Sequence, residues 1–78
     1  MATNEAAAIV VGEAVARALE AANISRRDAA EQTGIPLTTL QRRILGRSPF
    51  RVNELAIIAS LTGVSVVDLV AGTKGQAA

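Results

Sequence analysis

Apolar residues recur along this chain at spacings of three and four, the period of α-helices that each bury one face. Val11, Val15, Ala18, Leu19 and Ala22 form the first such stripe, and Ile9 and Val10 add apolar surface near its start. A helix is expected from just after Thr3 or Asn4 to about Ala22. Gly12 weakens it locally, by roughly 1 kcal/mol relative to alanine, and Asn23 suits a left-handed stop. Ser25-Arg26-Arg27-Asp28 has the form of a capping box with aspartate in the acidic place, so a second, short helix opens at Ser25. Gly34 ends it, since glycine takes positive φ without a Cβ penalty.

Ile35 follows as an apolar anchor, and Pro36 suits the first turn of a third helix, where a missing N–H costs nothing. That helix is expected from Pro36 or Leu37 to Leu45. Leu37, Leu40 and Ile44 share one face, and Thr38, Gln41, Arg42 and Leu45 lie on another. Gly46 stops it, and Ser48-Pro49 marks a loop. A fourth helix covers about Val52 to Leu61, with Leu55, Ile58 or Ala59, and Leu61 inward and Gly63 as its stop. Ser65-Val66-Val67-Asp68 repeats the capping form and opens a fifth helix to about Ala71, with Val67, Leu69 and Val70 as its apolar residues. Phe50, the one aromatic residue, is expected as a core plug. No stretch alternates with the period of a strand. The expected class is all-α, five helices in a single domain over residues 1–78, with 72–78 as a flexible tail.

Composition narrows the chemistry. The chain has 78 residues with no cysteine and no histidine, which removes disulfides, thiolate metal sites and the commonest general base. No Gly-rich phosphate loop follows a strand. The expectation is no catalytic residue, no metal and no cofactor. No apolar run reaches the roughly 20 residues that span a bilayer, and the N-terminus carries Glu5 and Glu13 in place of a basic leader. A cytoplasmic protein is expected.

Charge changes the picture more. Net charge is only +1, yet residues 23–51 hold six arginines against Asp28 and Glu31, a local +4, and the remainder carries −3. Segregation of this kind suits a polyanionic partner, with Asp28 and Glu31 reading as local salt partners of the neighbouring arginines. The basic segment also contains two short helices joined by a Gly34-centred turn, with small Ala30 four residues before the glycine and Leu40 six after it. Two helices crossing steeply need that arrangement, and the second of such a pair can enter a DNA major groove. Leu37, Thr38, Gln41 and Arg42 are its candidate base-reading residues. Gln41 suits an adenine edge, Arg42 a guanine edge, and Leu37 or Thr38 a thymine methyl. Leu37 is equally suited to the core. Ser25, Arg26, Arg27, Arg43, Arg47, Ser48 and Arg51 are candidate phosphate contacts, which position the protein without specifying sequence.

With "SRRDAAEQTGIPLTTLQRRILGR" followed by "SPFRVNELAIIASLTGVSVVDLV", the chain resembles the lambda repressor/Cro-like, or XRE-type, helix-turn-helix family over about residues 8–71. The helix-turn-helix falls at about 25–45, and the "GRSPF" loop is similar to that of small phage-encoded members. The resemblance implies a lambda repressor-like all-α fold and sequence-specific binding of a double-stranded DNA operator. It further implies a homodimer that regulates transcription in a bacterial host cell, as a phage Cro-like protein or small immunity repressor. An antitoxin-type autorepressor, or an interaction module that kept the fold without DNA reading, are the alternatives. For the dimer seam the fifth helix, with Val66, Val67 and Val70, stands first and the first helix second. Three positions depart from the family pattern: Thr33 before the turn glycine and Arg43 in the third helix stand where apolar residues are usual, and Arg51 stands where Ser or Thr often caps the fourth helix.

Overall fold

Residues 4–72 are described by the computed structural model, and they form α1 (Asn4–Ala21), α2 (Arg26–Thr33), α3 (Leu37–Ile44), α4 (Val52–Thr62) and α5 (Val66–Ala71). No strand occurs among the described residues, and the expected flexible tail lies outside them except for Gly72.

Local chemistry sets the helix ends. α1 closes with a two-bond left-handed cap. Asn23 takes φ 60°, its N–H bonds the Glu20 carbonyl at 3.0 Å, and the Ile24 N–H bonds the Leu19 carbonyl at 2.9 Å. Ile24 then folds onto the core beside Leu19. Ser25 caps α2 and Ser65 caps α5, each hydroxyl accepting the N–H of an aspartate three residues on, Asp28 or Asp68, at 3.0 Å. Pro36 is the N-cap of α3 and Leu37 its first helical residue, one position later than the earliest expected start.

The ends of α2 and α4 share one device. Thr33 donates its hydroxyl to the Ala29 carbonyl at 2.8 Å and accepts the Ile35 N–H at 3.2 Å. Thr62 does the same with Ile58 at 2.8 Å and Val64 at 3.3 Å. Gly34 and Gly63 follow with φ of 76° and 79°. The departure at Thr33 is thus accounted for: its hydroxyl satisfies backbone groups on both sides of the turn.

The core is small and built from every helix. Val15 and Leu19 of α1, Leu40 of α3, Ile58 of α4 and Leu69 of α5 are its largest fully buried side chains. α2 contributes Ala29 and Ala30, whose short side chains let its neighbours α3 and α4 approach closely. α1 packs against α3, α4 and α5, and the Arg17 guanidinium donates to the Gly72 carbonyl at 3.0 Å, tying α1 to the end of α5. Two expectations change. Phe50 is only partly buried and packs against the edge of the core. Val67 is 75% exposed and Val70 54%, because Leu69 and the partly buried Val66 take the inner face of α5.

Gly12 is more than a weak point in α1. It is buried, and a Cβ there would overlap the Ile44 carbonyl and lie 2.9 Å from the Arg43 carbonyl oxygen. The α1 backbone rests directly on the C-terminal end of α3. Helix propensity alone favours Gly12→Ala by about 1 kcal/mol, but forcing a methyl against a backbone carbonyl costs roughly 1 to 3 kcal/mol. Gly12→Ala is expected to lower the urea unfolding midpoint; a raised midpoint would show that the helices part without penalty.

Candidate nucleic-acid interface

α2 and α3 meet at Gly34, whose N–H bonds the Ala30 carbonyl at 2.9 Å. Buried Ala29 and Ala30 on one side and Leu40 and Ile44 on the other fix the crossing. With 3.6 residues per turn, the opposite face of α3 must point away from the core, and Thr38, Gln41, Arg42 and Leu45 are exposed there. Thr39 is half-buried. Leu37 falls on the inner side, partly buried against the core. It therefore leaves the outward strip and anchors the first turn of α3, in the core role that its spacing with Leu40 and Ile44 allows.

The end of α3 positions the next charged residue through backbone bonds. Gly46 takes φ 81°, its N–H bonds the Arg43 carbonyl at 3.1 Å, and the Arg47 N–H bonds the Arg42 carbonyl at 2.9 Å. These bonds fix the Arg47 backbone against the last turn of α3. Arg42 and Arg43 also complement the negative end of the α3 dipole.

Around this strip Arg26 and Arg27 are exposed on the first turn of α2, Arg51 is exposed at the start of α4, and Ser48 is half-buried in the loop between α3 and α4. The Ser25 hydroxyl accepts the Asp28 N–H at 3.0 Å, which leaves its own proton to donate. Among the described residues Asp28 and Glu31 form no ion pair with the neighbouring arginines, contrary to their reading as local salt partners; the pair between Arg43 and Glu54 lies elsewhere. The exposed guanidinium groups of Arg26, Arg27, Arg42, Arg47 and Arg51 thus carry their charge into solvent, unpaired by any described carboxylate.

Arg43 behaves differently from the other candidate phosphate contacts. Its side chain is 15% exposed and forms an ion pair through Nη1 with Glu54 Oε2 on α4. A guanidinium held in this way is not presented to a phosphate on the surface. The other Glu54 oxygen accepts the Arg51 N–H at 2.8 Å, so half of a capping box replaces the missing Ser or Thr at the start of α4. The sequence marks Arg43 as unusual but does not tie it to Glu54, three residues after Arg51. The signal that would have joined them is position: Arg43 follows Leu40 by three residues and so borders the buried stripe, where an arginine needs a carboxylate partner.

No described helix is long and apolar enough to cross a membrane, and no described cluster of carboxylates could hold a metal ion. No curated protein and no solved structure matches the chain. A family model described as Helix-turn-helix matches residues 15–69, well over half of the sequence and inclusive of α2, α3 and α4. The chain belongs to the lambda repressor/Cro-like (XRE-type) helix-turn-helix family, and in general terms it is a DNA-binding transcriptional regulator with that family's all-α fold.

Proposed function

We propose that α3 enters the major groove of a specific operator and that Thr38, Gln41 and Arg42 read base edges there. Ser25, Arg26, Arg27, Arg47, Ser48 and Arg51 meet phosphates on either side, and the protein represses transcription in a bacterial cytoplasm in the manner of a phage Cro-like protein or small immunity repressor. The observation that carries this reading is the exposed strip Thr38, Gln41 and Arg42, flanked by unpaired arginines, on the second helix of the helix-turn-helix. Gln41 and Arg42 supply the two bidentate pairings that a major groove rewards, to adenine and to guanine.

A homodimer on a pseudo-palindrome is part of the same proposal. Val67 and Val70 form an exposed apolar face on α5, and Val70 borders a groove of about 530 Å³ shared with Val11, Phe50, Val52 and Leu55. Exposed apolar side chains on one short helix suit a two-fold interface, in which the same patch meets its copy.

In vitro selection from random duplex DNA tests the whole reading. A two-fold symmetric consensus with half-sites about ten base pairs apart is expected, and no enrichment would remove sequence reading. Arg42→Ala should cost roughly 1 to 3 kcal/mol on the consensus and relax preference at one base pair; an unchanged preference would take Arg42 out of the reading set. Arg47→Ala should weaken all duplexes alike and lower the slope of log K against log salt by about one, whereas a sequence-dependent loss would contradict a phosphate role. Val67→Glu should leave the fold intact and shift the protein to monomer in sedimentation equilibrium, with weaker binding to the two-half-site duplex.

A further inference from the structure

The part-buried pair between Arg43 and Glu54 has no part in the contacts proposed above. Arg42 and Arg43 are neighbours in sequence and so lie about 100° apart around α3. One faces solvent and the other is tied to α4. Any rotation of α3 about its own axis that moves Arg42 also moves Arg43.

Apart from the Gly12 contact near its C-terminal end, the other anchors of α3 are apolar. Leu37, Leu40 and Ile44 hold it by apolar burial, which is non-directional. A charge-assisted hydrogen bond depends on distance and angle. Glu54 adds a second constraint. Oε2 takes Arg43 at the end of α3, and Oε1 takes the Arg51 N–H at the start of α4 at 2.8 Å. One carboxylate therefore closes both ends of the segment that carries Arg47 and Ser48. Stability is a weak reason for such a pair, because replacing a buried ion pair with apolar groups is often neutral or stabilising.

We infer that Arg43 and Glu54 are positioning residues for DNA reading: their ion pair sets the rotation of α3 and the placement of the 45–50 segment, and so governs discrimination between sequences and not general affinity. This rests on the proposed role of α3 in base reading.

The test uses the full chain with Arg43→Met combined with Glu54→Gln. Glutamine keeps an acceptor for the Arg51 N–H while the link to α3 is lost. Circular dichroism establishes that the variant is folded, and binding is measured to the selected duplex and to a scrambled one across a salt series. The expected result is a loss of discrimination of about tenfold, comparable with one mismatched base pair. Binding to the scrambled duplex and its salt slope should not change, and Arg43→Lys, which keeps the charge, should retain most of the discrimination. Unchanged discrimination in a folded variant overturns the inference and leaves the pair a purely structural one. A salt slope lowered by about one also overturns it, since Arg43 would then be a phosphate ligand. Should the double variant not fold, Glu54→Gln alone carries the same readouts. Amide exchange across 45–51 without DNA separates this inference from the reading beneath it. Faster exchange in the variant beside a wild type that prefers no sequence would show that the pair holds the segment and that base reading has failed, which overturns the inference as well.

Discussion

The close approach of α1 to the end of α3 is the contact on which the rest of the arrangement depends. Two helices that meet through side chains stand 8–10 Å apart. At Gly12 one partner has no side chain, and its backbone lies on the carbonyls of Arg43 and Ile44. Gly46, the stop of α3, is pressed against Ile9 of α1 in the same way. The turn after α3 is therefore defined from two directions, by its own backbone bonds and by the α1 backbone behind it. A chain of this size has little core to spare, and direct backbone contact holds a helix end without using any of it.

The surrounding scaffold repeats a small vocabulary of turn chemistry. Serine opens α2 and α5 with an aspartate three residues on, and threonine then glycine close α2 and α4. Each device satisfies backbone groups that a short helix leaves unpaired. In helices of six to eleven residues such as α2 to α5, terminal groups are a large share of the whole, so capping contributes in proportion. Bonds of this kind are local in sequence and form without distant parts of the chain. They leave the few apolar side chains to settle how the helices cross.

This division explains what could be read from the sequence. Helix ends marked by Ser25, Gly34, Gly46, Gly63 and Ser65 were legible because the cap and its partner lie within a few residues of each other. The exposure of Thr38, Gln41 and Arg42 was legible too, since the period of α3 is fixed once Leu40 and Ile44 are assigned inward. The place of Arg43 was not. It borders the buried stripe, and only the fold brings Glu54, eleven residues on, to meet it. Gly12 looked like a weak helix residue for the same reason: its use lies at Arg43 and Ile44, in a helix far along the chain. Val67 and Phe50 failed on geometry as well, because a six-residue helix and a loop can present an apolar side chain to either side at little local cost.

The exposed strip of α3 stands apart from everything that keeps the domain folded. None of Thr38, Gln41 and Arg42 is buried, and the elements that hold α3, namely Gly12, Leu40, Ile44, Arg43 with Glu54, and the Gly46 turn, lie behind it. Substitutions at exposed positions usually change stability by less than about 0.5 kcal/mol. Recognition in such a domain can diversify almost independently of foldability. With the reading role proposed for this strip, a lineage carrying the domain would acquire a new operator through two or three surface exchanges, with no compensating change in the interior, and two descendants would come to ignore each other's sites while remaining superimposable.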